Sequence, residues 1–307
     1  MMTSIRKRTG LAGLALATGL ILSGCAADQP APTSTPDATP ETPVAELGTI
    51  VVGSQAYYSN EIVAEIYAQV LEAAGYTVER RFQIGQRAAY IPAIEAGEVN
   101  LFPEYTGNLL REVYSPDTTA TTADDVYAEL VNSLPEQLAA LAMSPATDQD
   151  SYNVTAEFAA INGLTSIADL ANLDGLTLGG APELEERPYG PAGLLATYGV
   201  TVAFEATGAL TVDALREGLV DVANVYSGDP SIALYGLVTL ADPEGLFLAA
   251  NIVPIVSAEL AAELAPIIDP ISKALTSEGL VALNLRSTAD GASAAVLAAE
   301  WLASNGF

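Results

Sequence analysis

The sequence contains no histidine and only one cysteine, Cys25. Without histidine the chain cannot assemble a Ser-His-Asp or Cys-His catalytic group, nor a histidine-based zinc site. A single cysteine also excludes an internal disulfide framework. Paired carboxylates remain available for glycosidase-type hydrolysis, but no pair of acidic residues stands at a distinctive spacing. We therefore expect a protein that is not an enzyme and that uses neither a metal nor a cofactor.

Basic residues are also scarce, with 11 lysines and arginines against 38 aspartates and glutamates and a formal net charge of −27. An acidic surface repels nucleic acid and anionic solutes, and it attracts cations at long range. We therefore expect no nucleic-acid partner. Because solubility alone explains the acidity equally well, the charge indicates the sign of a ligand and nothing more.

The first 25 residues have the pattern of a signal peptide. A basic start, "MMTSIRKR", is followed by a short apolar run from Leu11 to Leu22 and then by "LSGC". The run is too short and wrongly flanked for a spanning helix. The Leu-Ser-Gly-Cys ending resembles a bacterial lipobox, which implies that Cys25 carries a diacylglycerol and anchors the protein to the outer face of the cell membrane. The alternative is an ordinary secreted protein with an incidental cysteine.

Residues 26–46 are rich in proline, threonine and alanine and show no periodic apolar face. A segment of this composition cannot bury enough apolar surface to order itself, so we predict a disordered tether. The folded part then begins near Leu47 and contains roughly 260 residues, enough for two α/β lobes.

Short apolar, β-branched runs alternate with helical patterns through the rest of the chain. The first is a predicted strand over Thr49–Val52, followed by a predicted helix from about Asn60 to Ala74. Alternation of this kind predicts an α/β fold with mostly parallel strands and helices on both faces. In open α/β sheets, ligands bind outside the carboxyl ends of the strands.

Two stretches of the sequence, "IEAGEVNLFPEYTG" and "LREGLVDVANVYSG", align without a gap. Each predicts a helix ended by a glycine, Gly97 or Gly218, and then a buried strand over "EVNLF" or "LVDVA". Tyr105 and Tyr226 come just beyond these strands, before a Thr-Gly or Ser-Gly pair that suits the cap of a following helix. The repeat predicts two tyrosines facing one cleft, the alternative being a chance match of two common helix-to-strand connections.

Four motifs together resemble the substrate-binding proteins of ABC importers for osmoprotectants, the glycine betaine, carnitine and choline binders: "VVGSQAYYSNE", "GEVNLFPEYTG", "ERPYGPAGL" and "VDVANVYSGD". The resemblance runs in order from Leu47 to Phe307. It implies a two-lobed, type II periplasmic-binding-protein-like fold with a ligand cleft between the lobes. Lobe 1 would comprise residues 47–147 plus 252–307, and lobe 2 residues 148–251.

The same resemblance implies a function. The protein would capture a quaternary ammonium compound and deliver it to a transmembrane permease that works with a cytoplasmic ATPase, since this chain has no P-loop of its own. Such a cation cannot donate a hydrogen bond, and aromatic faces bind it at roughly 0.5 to 2 kcal/mol for each cation–π contact. By similarity to the family, three tyrosines fall where such a cage is expected: Tyr105, Tyr152 and Tyr226.

A fourth ring that is usual in the family is missing. Where a tyrosine commonly precedes "N-x-x-P", this chain has Ala250 before "NIVP". The cage would then be open on one side or completed by a ring from elsewhere, and we favour Tyr90 for that place. The other tyrosines available are Tyr57, Tyr58 and Tyr189.

The residues expected at the anionic end of a betaine also depart from the resemblance. Gln55 stands where a lysine is frequent, and Asn108 where a threonine is common, whereas Arg187 remains as a bidentate partner for a carboxylate. The alternative for Arg187 is an ion pair with Glu185 or Glu186. Neutral amides suit a hydroxyl or amide, so they favour a solute such as choline over glycine betaine.

Three other functions stay open at this stage, the last of them a purely structural or adhesive lipoprotein in which the paired tyrosine motifs are accidental. The first is a receptor of the same fold for a different small solute, such as an amino acid or a betaine-like thiol compound, because fold does not fix the ligand. The second is a surface hydrolase that uses two carboxylates in a cleft.

Overall fold

The structure is a computed structural model that describes residues 48–307 of the chain. The predicted signal peptide, the predicted tether and Cys25 lie outside the described residues. Within residues 48–307, no helix is long and apolar enough to cross a membrane.

Strands and helices alternate along the described chain, as the sequence pattern predicts. The strands are β1 (Thr49–Gly53), β2 (Thr77–Arg81), β3 (Leu101–Tyr105), β4 (Leu138–Ala140), β5 (Asp150–Val154), β6 (Leu176–Gly180), β7 (Val202–Ala206), β8 (Val222–Tyr226), β9 (Val238–Thr239) and β10 (Ile252–Ser257). The α-helices are α1 (Tyr58–Ala73), α2 (Arg87–Glu95), α3 (Thr106–Leu109), α4 (Ala123–Ser133), α5 (Ala156–Asn162), α6 (Pro191–Tyr198), α7 (Thr211–Arg216), α8 (Ser231–Leu234), α9 (Ala261–Ala274), α10 (Ser277–Asp290) and α11 (Ala294–Asn305). A π-helical turn over Leu110–Tyr114 follows α3.

The strands form two five-stranded sheets of the same design, in the orders β2-β1-β3-β10-β4 and β7-β6-β8-β5-β9. The chain passes from the first sheet to the second between β4 and β5, and returns between β9 and β10. We call these two connections, residues 141–149 and 240–251, the crossing segments. This is the two-lobed α/β architecture that was predicted. The lobe bounds, 47–147 plus 252–307 and 148–251, stay predictions, and we call the part around the first sheet the first lobe and the part around the second sheet the second lobe.

The prediction of mostly parallel strands is wrong, because each sheet is half antiparallel. In the first sheet β1 runs parallel to β2 and β3, whereas β10 runs antiparallel to β3 and β4. In the second, β6 runs parallel to β7 and β8, and β5 runs antiparallel to β8 and β9. The reversed strands, β5 and β10, follow the crossing segments directly. Each therefore enters its sheet from the edge where the neighbouring parallel strands end.

The repeated stretches build equivalent units in the two sheets. Gly97 and Gly218 both have φ of +71°, the left-handed conformation expected after a helix. The strands that follow start a few residues later than predicted, so Tyr105 and Tyr226 are the last residues of β3 and β8 rather than loop residues. The shift arises because the first apolar residues after each glycine still bond to the preceding helix, with Val99 N–H donating to the Ala93 carbonyl.

The prediction that the hydroxyl residues of the repeat, Thr106 and Ser227, cap helices is wrong. They attach each lobe to a crossing segment instead. The Thr106 amide donates to the Asn251 carbonyl at 3.0 Å, and the Asn251 amide donates to Thr106 Oγ1 at 3.1 Å. The Ser227 amide likewise donates to the Gln149 carbonyl at 2.8 Å, and the Gln149 amide donates to Ser227 Oγ at 2.9 Å. The side chains therefore satisfy backbone amides where a strand ladder has ended.

The core of the first lobe is closed by the C-terminal helices. Helix α1 begins at Tyr58, slightly before the predicted start, and its apolar side chains at helical spacing, such as Ile62 and Ile66, are fully buried. They pack in one cluster with residues of α9, α10 and α11, including Ile268 and Leu297. This packing fixes the start of α1, where the loop after β1 reaches the space between the lobes.

Candidate functional site

A cavity of about 730 Å³ lies between the two sheets, lined by residues from both lobes. Its walls come from the segments that follow β1, β2, β6 and β7 and from the ends of β3 and β8. These are the carboxyl ends of the parallel strands, where ligands bind in folds of this class. The position of the cavity therefore agrees with the prediction of a cleft between the lobes.

Tyrosines from both lobes line this cavity. Tyr105 and Tyr226, the paired residues of the repeat, both lie on its wall, together with Tyr57, Tyr58 and Tyr189. The rings of Tyr57 and Tyr226 meet across the lobes with centroids 5.1 Å apart. Burial raises the pKa of Tyr57, Tyr105 and Tyr226 well above the usual value, so all three rings are neutral near pH 7.

The loop that carries Tyr57 is held by Asn60 in the first turn of α1. The Gln55 amide donates to Asn60 Oδ1 at 2.9 Å, and Asn60 Nδ2 donates to the Pro103 carbonyl at 2.7 Å. Asn60 Nδ2 also lies 3.4 Å from the Tyr105 hydroxyl. One side chain thus fixes both the loop after β1 and the end of β3. The sequence signal for this loop was the Tyr-Tyr pair in "SQAYYSN". From the sequence, these two tyrosines were only alternatives to Tyr90 for the missing fourth ring.

Tyr152, predicted as a cage residue, does not line the cavity. Its side chain is fully buried, its hydroxyl donates to the Tyr189 carbonyl, and its ring meets Phe247 with centroids 5.0 Å apart. The reason lies in the direction of β5, which starts at the cavity and runs away from it. Asp150 occupies the cavity end, and Tyr152 lies two residues deeper on the same face of the strand.

Tyr90, favoured for the missing fourth ring, does not line the cavity either. It is fully buried in the first lobe, with its ring stacked on Phe102 at a centroid distance of 4.2 Å. Its hydroxyl donates to Glu104 Oε1 at 2.5 Å. Ala250 is also fully buried, in the hydrophobic core that contains Tyr105. The ring that meets Tyr226 across the cavity is that of Tyr57.

Two buried carboxylates that sequence reasoning missed, Asp148 and Asp150, lie on the cavity wall. Asp148 accepts hydrogen bonds at 3.0 Å from the Ser59 hydroxyl and from the Gly228 amide. Asp150 accepts one from Asn108 Nδ2 at 3.0 Å. Within residues 48–307, no lysine or arginine forms an ion pair with either carboxylate. The only available signal was the acidic segment "DQDSY" that leads into β5.

Burial raises the pKa of Asp148 to about 7, although hydrogen bonds from Ser59 and the Gly228 amide oppose the shift. Burial also raises the pKa of Asp150, against hydrogen bonds led by that from Asn108. A carboxylate buried without a cation is costly to ionise. A positively charged ligand in the cavity would therefore stabilise the charged form of both groups.

The two arginines on the cavity wall, Arg87 and Arg187, are engaged by glutamates. Arg87 forms a bidentate pair with Glu104, from Nε at 3.0 Å and from Nη2 at 2.9 Å. Its Nη1 lies 3.1 Å from Glu112 Oε2, and Arg187 Nη1 contacts the same oxygen. Arg187 thus lies on the cavity as predicted, but its ion-pair partner is Glu112 rather than Glu185 or Glu186.

The two predicted amide residues, Gln55 and Asn108, both line the cavity. Gln55 Nε2 is buried and, within the described part of the chain, has no hydrogen-bond partner. Asn108 Nδ2 donates to Asp150 and, at 3.2 Å, to the Tyr189 hydroxyl. Buried donors are almost always paired in proteins, so Gln55 Nε2 presents an unsatisfied donor to a ligand.

A family described as the substrate binding domain of an ABC-type glycine betaine transport system matches residues 48–304. The glycine betaine-binding protein YehZ of Escherichia coli K12 is 28% identical over 286 residues, covering 86% of this chain and 93% of that protein. A solved structure described as a glycine betaine/carnitine/choline ABC transporter superposes with a TM-score of 0.70 at 20% identity, covering 84% of this chain and 98% of the other. The unliganded structure of YehZ from E. coli superposes with a TM-score of 0.65 at 27% identity, covering 84% and 99%.

Proposed function

The chain belongs to the family of substrate-binding domains of ABC-type glycine betaine transport systems, and from this membership we propose a receptor that encloses a compact quaternary ammonium solute in its cavity and delivers it to a membrane permease. The family consists of extracytoplasmic solute-binding receptors rather than enzymes. The carboxylate hydrolase considered from the sequence is therefore set aside. The ligand is bound and released without covalent change.

One observation carries the proposal: neutral tyrosine rings and buried carboxylates face the same cavity. Tyr57, Tyr105 and Tyr226 supply the rings, and Asp148 and Asp150 supply negative charge that has no cationic partner among the described residues. A quaternary ammonium group suits such a wall because it is positive, bulky and unable to donate hydrogen bonds.

The rings alone do not account for tight binding. Three cation–π contacts contribute a few kcal/mol, whereas micromolar affinity requires roughly 8 kcal/mol. The remainder would come from the carboxylates, from burial of the methyl groups and from contacts of the ligand with both lobes at once. Because Tyr105 and Tyr226 belong to different lobes, the ligand would stabilise the arrangement in which the lobes meet.

The far end of the solute would be a hydroxyl or amide. Gln55 offers a donor that has no partner among the described residues, and Asn108 also lines the cavity. Choline fits this end, and a betaine-like osmoprotectant is the related candidate. A different small solute, such as an amino acid or a betaine-like thiol compound, stays the alternative, because Ala250 departs from the pattern of the family it resembles.

The partners follow from the transport role. We propose a transmembrane permease with a cytoplasmic ATPase as the docking partner. We also propose that Cys25, outside the described residues, holds the receptor at the outer face of the cell membrane through a lipid.

Isothermal titration calorimetry of the purified protein with choline, glycine betaine, carnitine and proline betaine tests the proposal. We expect micromolar binding of at least one solute and loss of that binding in Tyr105→Ala and in Tyr226→Ala. Tyr127→Ala is the matched control, because Tyr127 lies on α4 away from the cavity and its hydroxyl bonds to the Leu141 carbonyl. A folded protein that binds none of the four solutes would contradict the proposal.

A further inference from the structure

We propose that Glu112 sets the ligand preference of the cavity by occupying both of its arginines, so that the site takes a quaternary ammonium solute that carries no carboxylate. The inference rests on the proposed function and adds to it a residue that discriminates between solutes. Glu112 contacts both arginines and lines a small recess beside the cavity, together with Asn108, Asp150 and Tyr189.

Glu112 is placed by the π-helical turn Leu110–Tyr114, which follows the repeated tyrosine unit of the first lobe. Its side chain is 6% exposed. Oε2 is shared by Arg87 of the first lobe and Arg187 of the second, and Oε1 accepts a hydrogen bond at 3.2 Å from the Tyr189 hydroxyl. A single buried carboxylate therefore links three side chains that line the cavity.

The charges of this group balance internally. Arg87 is held by Glu104 through two nitrogens and by Glu112 through the third, and Arg187 is held by Glu112. Two arginines thus face two glutamates. No other lysine or arginine of the described chain lines the cavity. A solute carboxylate near Arg187 would therefore meet a guanidinium whose charge Glu112 already balances.

The remaining charges of the cavity oppose a solute carboxylate further. Asp148 and Asp150 are buried on the wall without a cationic partner among the described residues. Like charges brought together in a buried site disfavour each other's charged form. The cavity thus attracts the trimethylammonium group of a solute and repels an anionic end, while Gln55 Nε2 can donate to a hydroxyl.

Choline and glycine betaine form a matched pair of probes, because they share the trimethylammonium group and differ in a hydroxymethyl or a carboxylate at the other end. The measurement is the ratio of their dissociation constants, by calorimetry, for the wild-type protein and for Glu112→Gln. We expect the wild type to prefer choline by about tenfold or more, the scale of one charge-assisted hydrogen bond. In Glu112→Gln we expect the preference to shrink by about the same factor, because Arg187 becomes free to pair with the betaine carboxylate.

Two further variants separate this effect from general damage. Glu72→Gln is the matched control, since Glu72 pairs with Arg80 away from the cavity, and we expect it to leave the ratio unchanged. The double variant Glu112→Gln with Arg187→Gln removes both charges together, so it should restore the preference for choline. Circular dichroism and thermal unfolding show whether each variant is folded.

The outcomes distinguish failure of the inference from failure of the proposed function. A wild type that binds glycine betaine as tightly as choline overturns the inference alone, and this result does not depend on any variant folding. A folded Glu112→Gln with an unchanged ratio also overturns it. If Glu112→Gln does not fold, a folded double variant that prefers glycine betaine overturns it. A wild type that binds neither probe contradicts the proposed function itself.

Discussion

The two lobes use the same backbone unit but give it different chemistry at the cavity. In the first lobe, Tyr105 pairs across the sheet with Ile252, and the loop after β1 adds Tyr57. In the second, Tyr226 pairs with Asp150, and the segment after β6 contributes Glu183 and Tyr189. The residues that the two repeated stretches share build the common backbone unit. The positions around them differ, so that both sides present rings and the second side adds the carboxylates of Asp150 and Glu183.

The sharpest test of the shared scaffold uses Gly107 and Gly228, which follow Thr106 and Ser227. A Cβ on Gly107 would lie 2.5 Å from Leu248 Cβ and 2.6 Å from the Ala249 carbonyl oxygen, both on a crossing segment. A Cβ on Gly228 would lie 2.6 Å from a carboxylate oxygen of Asp148, which is a side chain and can move. We expect Gly107→Ala to lower the free energy of unfolding by about 2 to 3 kcal/mol and Gly228→Ala by less.

Urea denaturation measures both effects. Gly228→Ala should instead weaken binding of a quaternary ammonium solute, because it displaces Asp148. Equal losses of stability in the two variants would mean that the two crossing segments are held alike.

The contrast between rings and carboxylates predicts a pH dependence of binding. The native pKa of Asp148 is raised to about 7 by burial, whereas the pKa values of Tyr57 and Tyr226 are raised far beyond neutrality. A cationic ligand favours the ionised form of Asp148. Affinity should therefore be full above pH 7 and fall as the pH drops through 7, by up to about tenfold per pH unit.

Calorimetry at pH 6, 7 and 8 checks this expectation, with Asp148→Asn as the control that should remove most of the slope. Asp150, the neighbouring carboxylate, also has a raised pKa, and it accounts for any slope left in that variant. Affinity that stays constant between pH 6 and pH 8 in the wild type would contradict a role for Asp148.

The hydroxyl attachments should also differ in strength between the lobes. Thr106 is fully buried, and its hydroxyl both donates to the Ala249 carbonyl at 2.9 Å and accepts from the Asn251 amide. Ser227 is exposed. We expect Thr106→Val to cost about 1 to 2 kcal/mol of folding stability and Ser227→Ala about 0.5 kcal/mol. Thermal unfolding monitored by circular dichroism compares them, and a larger loss in Ser227→Ala would reverse the comparison.

The smallest effect is expected at Tyr152. Tyr152→Phe keeps the ring against Phe247 and removes only the hydroxyl that bonds to the Tyr189 carbonyl. Solute affinity measured by calorimetry should stay within about twofold of the wild type, because the residue does not line the cavity. A tenfold loss of solute affinity would mean that Tyr152 belongs to the binding site after all.

Local sequence patterns predicted the parts of this protein that depend on nearby residues. The alternation of helices and strands, the left-handed Gly97 and Gly218, and the presence of Tyr105 and Tyr226 at one cleft all follow from short motifs. Strand direction was predicted less well, since β5 and β10 are reversed by the crossing segments. The reversal of β5 places Asp150 at the cavity and Tyr152 in the core. A local sequence pattern cannot predict this placement, because it does not give the direction of the strand.

The ion pairs are the other feature that could not be predicted from the sequence. Arg187 was expected to pair with a neighbour in the chain or with a ligand, yet its partner comes from the opposite lobe. Glu112 lies in a turn whose sequence, "LREVY", carries no distinguishing mark. Charge partners of this kind depend on how the lobes meet, and the family resemblance gave only the motifs that line each lobe.

The attachments of Thr106 to Asn251 and of Ser227 to Gln149 also constrain how the molecule can bend. Each pins one end of a crossing segment to one lobe, and the two segments are joined to each other where the Asp148 amide donates to the Ala250 carbonyl at 3.1 Å. A change in the angle between the lobes would have to rotate the few peptide units between these attachments. Asp148 lies next to the Gln149 attachment and forms the bond that joins the two segments. A solute bound at Asp148 would therefore act directly on the connection between the lobes.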